Sequence, residues 1–300
     1  MSIPLISGIQ GLRDAVADLR RAGKTVGLVP TMGALHAGHG RLIETARAEC
    51  GAVVVSVFVN PIQFDRPDDY ERYPRTLPSD VSFAEACGAD LVFAPGIAEM
   101  YPRRQRAFVD LEVLTEHLCG RFRPGHFRGV ATVVAKLLNI VQPDRAYFGE
   151  KDAQQLAAIR RMVADLDLPV TIVGVPTVRE ADGLALSSRN RLLSSDERAV
   201  APLLYRALQA AASAIACGES DPEKAKLSGL AVFEREPRIQ VEYFEIVDPE
   251  ELQPVAEIAG PVLIAAAAWL GTTRLIDNVM ARPRSERTCK RGTDGSKMVP

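Results

Sequence analysis

Two of the four histidines, His36 and His39, stand three residues apart in the run Met32-Gly33-Ala34-Leu35-His36-Ala37-Gly38-His39. An apolar, strand-like segment (Thr25 to Pro30) precedes this run and a helix-like segment (Arg41 to Glu49) follows it. Backbone N–H groups at a helix start receive phosphate, helped by the helix dipole. Gly33 and Gly38 permit close backbone approach. Two imidazoles at this spacing can point at one anion and stabilise charge that grows on it during reaction. The whole run from Met32 to His39 is therefore a candidate nucleotide-binding loop. The H-x-G-H pattern is short, and its position between a strand and a helix is what gives it weight.

Three further clusters carry polar chemistry. Asn60-Pro61-Ile62-Gln63 follows the continuous apolar run Ala52 to Val59. The amide of Gln63 can donate and accept at once, and could hold the hydroxyl and carboxylate of a small hydroxy acid. Gly149-Glu150-Lys151-Asp152 follows the apolar Arg145 to Phe148. Lys151 suits phosphate as a compact positive charge. Asp152 could accept ribose hydroxyls or cap the next helix. Gln155 lies three residues on, on the same helical face, and could join Gln63 around an acid substrate. Leu186-Ser187-Ser188-Arg189 brings two hydroxyls and a guanidinium suited to a triphosphate. Asp80 could hold a cation or serve as a helix-start carboxylate. His117 reads as a surface helix residue.

Short apolar strands alternate with helix-like stretches through Pro176. Ile9 to Arg21 places Ile9, Leu12, Val16 and Leu19 on one face, with Gly23 as a stop. Further helices are expected over Ser79 to Cys87, Phe127 to Val141 and Asp152 to Asp165, and further strands over Asp90 to Ala94 and Val170 to Val175. This pattern predicts an α/β domain, a doubly wound parallel sheet over 1–176 that binds ligands beyond its strand carboxyl ends. A smaller α+β unit is expected over 177–282. Ser194 and Glu197 have capping-box spacing ahead of one long alanine-rich helix to Cys217. Ile239 to Val247 alternates as a half-exposed antiparallel strand does, and Val262 to Leu270 and Thr273 to Ile276 add two more. The basic, polar stretch over 283–300 is expected to be a disordered tail.

The net charge of −2 over 300 residues leaves no footprint for a nucleic acid. The five cysteines are scattered without a C-x-x-C pair, so free thiols are expected rather than a disulfide or zinc site, and no metal-ligand set is read from the sequence. Met1 to Gly8 does not read as a signal peptide, and the longest apolar run, Pro261 to Leu270, is too short to span a membrane.

The string from Pro30 to His39 resembles the pantothenate synthetase family, within the H-x-G-H nucleotidyltransferases that include class I aminoacyl-tRNA synthetases. The resemblance extends to Phe58–Phe64, Tyr73–Thr76, Arg123–Phe127, Gly149–Leu156, Gly174–Glu180, Asp182–Asn190 and Ala267–Asn278. It implies condensation of pantoate with β-alanine, using ATP and Mg²⁺, through a pantoyl adenylate. It also implies that His39 is the proton donor, that Gln63 contacts pantoate near β-alanine, that Met32 borders the substrate and that Val178 borders the adenine. His126 would line the substrate tunnel or make structural hydrogen bonds. The smaller domain would close as a lid. A cytoplasmic homodimer with no nucleic-acid or membrane partner is implied as well. Gly40, Cys119 and Ala153 depart from the family pattern. The alternatives are a related nucleotidyltransferase acting on a phosphate, or a nucleotide sensor without turnover. The first would need basic groups where Gln63 and Gln155 stand.

Overall fold

The computed structural model describes residues 3–284, so nearly all of the expected tail lies outside the described residues. Six strands form one parallel sheet: β1 (Leu5–Ile6), β2 (Val26–Thr31), β3 (Ala52–Val57), β4 (Leu91–Phe93), β5 (Arg145–Gly149) and β6 (Thr171–Val175). Their order is β1-β4-β3-β2-β5-β6. Both faces are covered. Along β2, Val26 and Leu28 join one core layer while Val29 joins the other. Along β3, Val54 faces the first layer and Val53 and Val55 the second. A parallel strand buried on both faces reads as a continuous apolar run, as Ala52 to Val57 does.

The helices ahead of β6 are α1 (Ile9–Arg21), α2 (Ala37–Glu49), α3 (Pro67–Arg72), α4 (Leu77–Ala86), α5 (Ile97–Met100), α6 (Leu118–Phe122), α7 (His126–Val141) and α8 (Ala153–Asp165). α1 buries Leu12 and Val16 and ends before Gly23, whose φ of +75° suits a residue without a Cβ. The short α3, α5 and α6 lack enough periodicity to be read from sequence.

Beyond Val175 come α9 (Ser195–Val200), α10 (Leu203–Ala216), α11 (Pro222–Leu230) and an antiparallel sheet of β7 (Ile239–Val247), β8 (Val262–Leu270) and β9 (Thr273–Ala281). The Ser194–Glu197 capping box forms as expected. The single long helix does not: it breaks at Ala201-Pro202, where proline has no N–H to continue the ladder. The combined stretch Ser195–Ala216 has the length and composition of a membrane span, yet Leu204, Leu208, Ala211 and Ile215 pack into the core with β7–β9. β7 is half-exposed only in its first part. Phe244 and Ile246 face the α10 layer, while Tyr243 and Val247 join the core of the parallel-sheet unit. The small sheet is thus buried from both sides. That explains why β8, rich in alanine, is buried along nearly its whole length.

Candidate active site

The sheet order changes direction between β2 and β5, and ligands of open α/β sheets bind at such switch points. A cavity opens there. The loop after β2 delivers Met32, His36, Gly38 and His39, and the loop after β3 delivers Gln63. The loop after β5 delivers Gly149, Lys151 and Asp152, with Gln155 one turn later. Val178 follows β6, and the return of the hairpin brings Leu186, Ser187, Ser188 and Arg189. Five residues of the expected set do not line it: Gly33, Ala34, Leu35, Ala37 and Glu150. The N–H groups of Ala34 and Leu35 turn away from the cavity because they donate to Asp80 Oδ2 and Oδ1 at 3.1 and 2.8 Å.

Asp80 is the helix-start carboxylate expected from the sequence, and from that place it also holds this loop. It sits in the first turn of α4, buried, and also accepts from Thr76 Oγ1 at 3.1 Å. Its two oxygens clamp a loop in which Gly33 and Ala34 both have positive φ, +87° and +51°. Such a conformation at a residue with a Cβ persists only when its surroundings hold it.

The clamp leads directly into α2. His36 is the N-cap residue, and its Nδ1 accepts from Gly38 N at 3.1 Å. His39 Nδ1 accepts from His36 N at 3.3 Å. The rings lie 4.1 Å apart between centroids. A Cβ on residue 38 would stand 2.9 Å from His36 Cε1, so glycine is what lets this ring fold over the helix start. Because each Nδ1 accepts a backbone N–H, each proton resides on Nε2, and both histidines are hydrogen-bond donors on their far side. Gly40 does not loosen the helix: its N–H bonds His36 O at 3.0 Å, and Phe83 and Cys87 occupy the space a larger side chain would need.

Burial, then the nearby Lys151 charge, pulls His36 down to about 4. Burial, then His36 and Lys151, pulls His39 down to about 3. Both imidazoles are neutral near pH 7. In the unfolded chain each would titrate near its ordinary 6.5, so below that pH the unfolded state binds more protons than the folded one. Stability from this source is complete above pH 6.5 and is lost as pH falls toward the folded values. The melting temperature is expected to drop steadily from pH 6.5 to 4, and the drop should shrink in His39→Gln; scanning calorimetry across that range checks it.

Gln63 is buried and its orientation is set by neighbours. Asn60 Nδ2 donates to Gln63 Oε1 at 3.0 Å, and Gln63 Nε2 faces Met32 Sδ at 3.1 Å beside the cavity. The sequence alone leaves the amide free to donate and accept. In the fold its oxygen is engaged, and the donor end meets the cavity. Asn60, read only as part of a turn, is the residue responsible.

The loop after β5 is anchored from the small sheet: Asn278 Nδ2 donates to the carbonyls of Glu150 and Lys151 at 3.0 and 2.9 Å. Asp152 occupies the N-cap position of α8 but makes no capping bond, so its carboxylate is left to the cavity. The hairpin closes through Leu186 N to Val178 O at 2.9 Å, and Arg179 pairs with Asp277 at 2.6 Å to tie it to β9. Ser187 Oγ accepts from Arg189 N at 3.2 Å, and Arg189 reaches Asp69 at 3.4 Å.

His126 lines the cavity and also supports it. Its Nδ1 lies 2.7 Å from the Gln63 carbonyl and its Nε2 lies 3.3 Å from Arg123 Nη1. A carbonyl and a guanidinium leave one arrangement, with the proton on Nδ1. Burial, then Arg123, holds it down at about 4. His117 precedes α6 rather than riding on a helix surface, and its carbonyl accepts from the buried Gln154 at 2.8 Å. Cys119 is buried against Tyr243 Oη at 3.2 Å and Arg274 Nη2 at 3.5 Å, which links α6 to the small sheet.

The described residues hold no group of three or more His, Cys, Asp or Glu side chains able to cage a metal ion. A divalent cation entering on a triphosphate needs no such cage, since Mg²⁺ keeps several waters and uses phosphate oxygens with one or two carboxylates. Asp152 is a carboxylate that lines the cavity.

Comparison with known proteins gives a consistent answer. Residues 4–280 match the family model for pantoate-beta-alanine ligase. A pantothenate synthetase of Sinorhizobium medicae is 52% identical over 286 residues, spanning 95% of this chain and 98% of that protein. The crystal structure of the Thermus thermophilus pantothenate synthetase superposes with a TM-score of 0.88 at 48% identity, over 92% of this chain and 99% of that one. The pantoate-beta-alanine ligase of Francisella tularensis, crystallised with a β,γ-ATP compound and β-alanine, gives 0.76 at 32% identity, over 93% and 98%. The chain belongs to the pantoate-beta-alanine ligase family.

Proposed function

We propose that the cavity joins pantoate to β-alanine in two steps, with the following roles for its residues. The carboxylate of pantoate attacks the α-phosphorus of ATP, and pyrophosphate leaves. The amine of β-alanine then attacks the carbonyl of the enclosed pantoyl adenylate, giving pantothenate and AMP. A free carboxylate is a poor acyl donor and a mixed anhydride a good one, which is the chemical reason for two steps.

The observation that carries this reading is the pair of neutral imidazoles held with Nε2–H outward beside Lys151. Those donors suit oxygens on which charge grows during attack, and they need no reorganisation when it does. A neutral Nε2–H supports His39 as a hydrogen-bond donor to the transition state. Lys151, Ser187, Ser188 and Arg189 take the departing pyrophosphate. Asp152 takes ribose hydroxyls or the cation that travels with ATP. Gln63 and Gln155 hold pantoate. Mg²⁺ on the triphosphate supplies further charge neutralisation.

The same reading divides the chain at Pro176 into a binding unit, 1–176, and a unit over 177–282 that keeps water from the adenylate. It also includes a cytoplasmic homodimer. A transferase that moves a nucleotide onto a second phosphate fits less well. The cavity's extra guanidinium, Arg123, is already paired with Asp65 at 3.0 Å, and amides stand where cations would be needed.

The test is AMP formation from MgATP with pantoate and β-alanine each present or withheld. Steady AMP release is expected only with both. Equal release without pantoate would remove the substrate assignment, and tight ATP binding with no release would favour the sensor.

A further inference from the structure

The donor end of Gln63 is the part of the cavity best suited to a substrate carboxylate, and nothing in Gln63 itself decides that this end points inward. An amide has nearly the same shape either way round. The decision is made one and two residues further out.

Asn60 Nδ2 lies 3.2 Å from the carbonyl oxygen of Gly129 in α7. A carbonyl can only accept, so the atom of Asn60 facing it must be its nitrogen. The oxygen of Asn60 then faces Tyr101, whose hydroxyl donates to it at 2.7 Å. With its oxygen so placed, Asn60 presents its second N–H to Gln63 Oε1. Gln63 has no choice left: its NH₂ faces the cavity. Tyr101 lies outside the cavity lining, packed near Phe58 with ring centroids 6.1 Å apart.

Gly129 contributes a second constraint. A Cβ there would stand 2.4 Å from the Ile62 carbonyl oxygen and 2.6 Å from Gln63 Cα. Both are backbone atoms, so the loop carrying Gln63 would have to move. The missing side chain at residue 129 is what seats Gln63 at this depth.

We propose that Tyr101 and Gly129 are positioning residues for the acid substrate: Gly129 fixes, through Asn60, which end of the Gln63 amide meets pantoate and how far it projects, and Tyr101 holds Asn60 in the place that presents it. The inference rests on the ligase reading above. Neither residue touches substrate, so their effect passes through Gln63.

The test measures full-chain wild type, Tyr101→Phe, Gly129→Ala, Gln63→Glu and the Tyr101→Phe/Gln63→Glu double variant, with pantoate and ATP varied in turn and melting temperature recorded for each. Tyr101→Phe is expected to raise KM for pantoate by about tenfold, the scale of one lost buried hydrogen bond, while KM for ATP stays within about twofold. Gly129→Ala should act in the same direction more strongly. In the double variant the two effects should be less than additive, because Tyr101 acts on the substrate only through the Gln63 amide. A folded Tyr101→Phe protein with an unchanged KM for pantoate, or full additivity with Gln63→Glu, overturns the proposal even if Gly129→Ala fails to fold. Wild type that never needs pantoate would instead remove the ligase reading, which is a separate result.

Discussion

His39→Ala is expected to slow pantoate-dependent exchange of pyrophosphate with ATP by about 10²–10³-fold, the usual loss when one preorganised donor to a transition state is removed. Exchange isolates the first chemical step, so the prediction does not depend on how β-alanine binds. Part of any loss could come from fold damage, since His39 Nδ1 also accepts the His36 N–H at the start of α2. That bond is of the capping kind, worth about 1 kcal/mol. A melting curve measures this share, and His39→Gln is expected to recover part of it. If exchange persists at wild-type rate in a folded His39→Ala protein, the histidine is not a transition-state donor. The neutral state of both imidazoles adds a second expectation: kcat should show no acid limb centred near the ordinary histidine value. A limb near 6.5 that vanishes in His39→Ala would mean that the charged form acts.

Asp80→Ala is expected to be the most damaging change outside the cavity lining. It strips two buried N–H groups, those of Ala34 and Leu35, of their acceptor, and leaves Thr76 Oγ1 without this partner. Each orphaned buried donor costs about 1–3 kcal/mol, so a loss of at least about 2 kcal/mol in urea unfolding is expected. Activity should fall further than stability accounts for. The left-handed conformation at Ala34 is held by this carboxylate, and His36 follows two residues later. Asp80→Asn keeps one acceptor but sets an NH₂ against a backbone N–H, so its loss should lie between those of Asp80→Ala and wild type. Full activity in a folded Asp80→Ala protein would show that the loop holds its shape without the clamp.

The strands of the parallel sheet were legible in sequence because burial on both faces demands uninterrupted apolar runs, and Ala52 to Val57 is such a run. The helix from Ile9 to Arg21 was legible because its apolar residues recur at helical spacing and Gly23 ends it. The break at Pro202 is hidden in the sequence because the capping box before it and the alanine-rich stretch after it both favour helix. Burial of the second half of β7 was missed because alternation assumes one wet face, and the first unit covers that face. Among site residues, His36, His39, Gln63, Lys151 and Arg189 carry functional groups whose chemistry suggests a role wherever they occur, and all line the cavity. Asn60, Tyr101 and Gly129 carry no such mark: an amide, a phenol and the lack of a side chain become meaningful only against their neighbours.

The linear chain by itself thus determined which groups could act and in which loops they stand, because residue type and local periodicity depend on near neighbours. Only the tertiary structure decided their direction. Which histidine nitrogen keeps its proton follows from backbone N–H groups at the start of α2. Which end of Gln63 meets the cavity follows from a carbonyl 66 positions away along the chain, at Gly129. Whether Asp80 grips a loop or faces water follows from the packing of α4 against α2, beside the loop that follows β2. Hydrogen bonds of this kind join residues far apart in sequence, and their geometry exists only once the sheet has brought the loops to one edge.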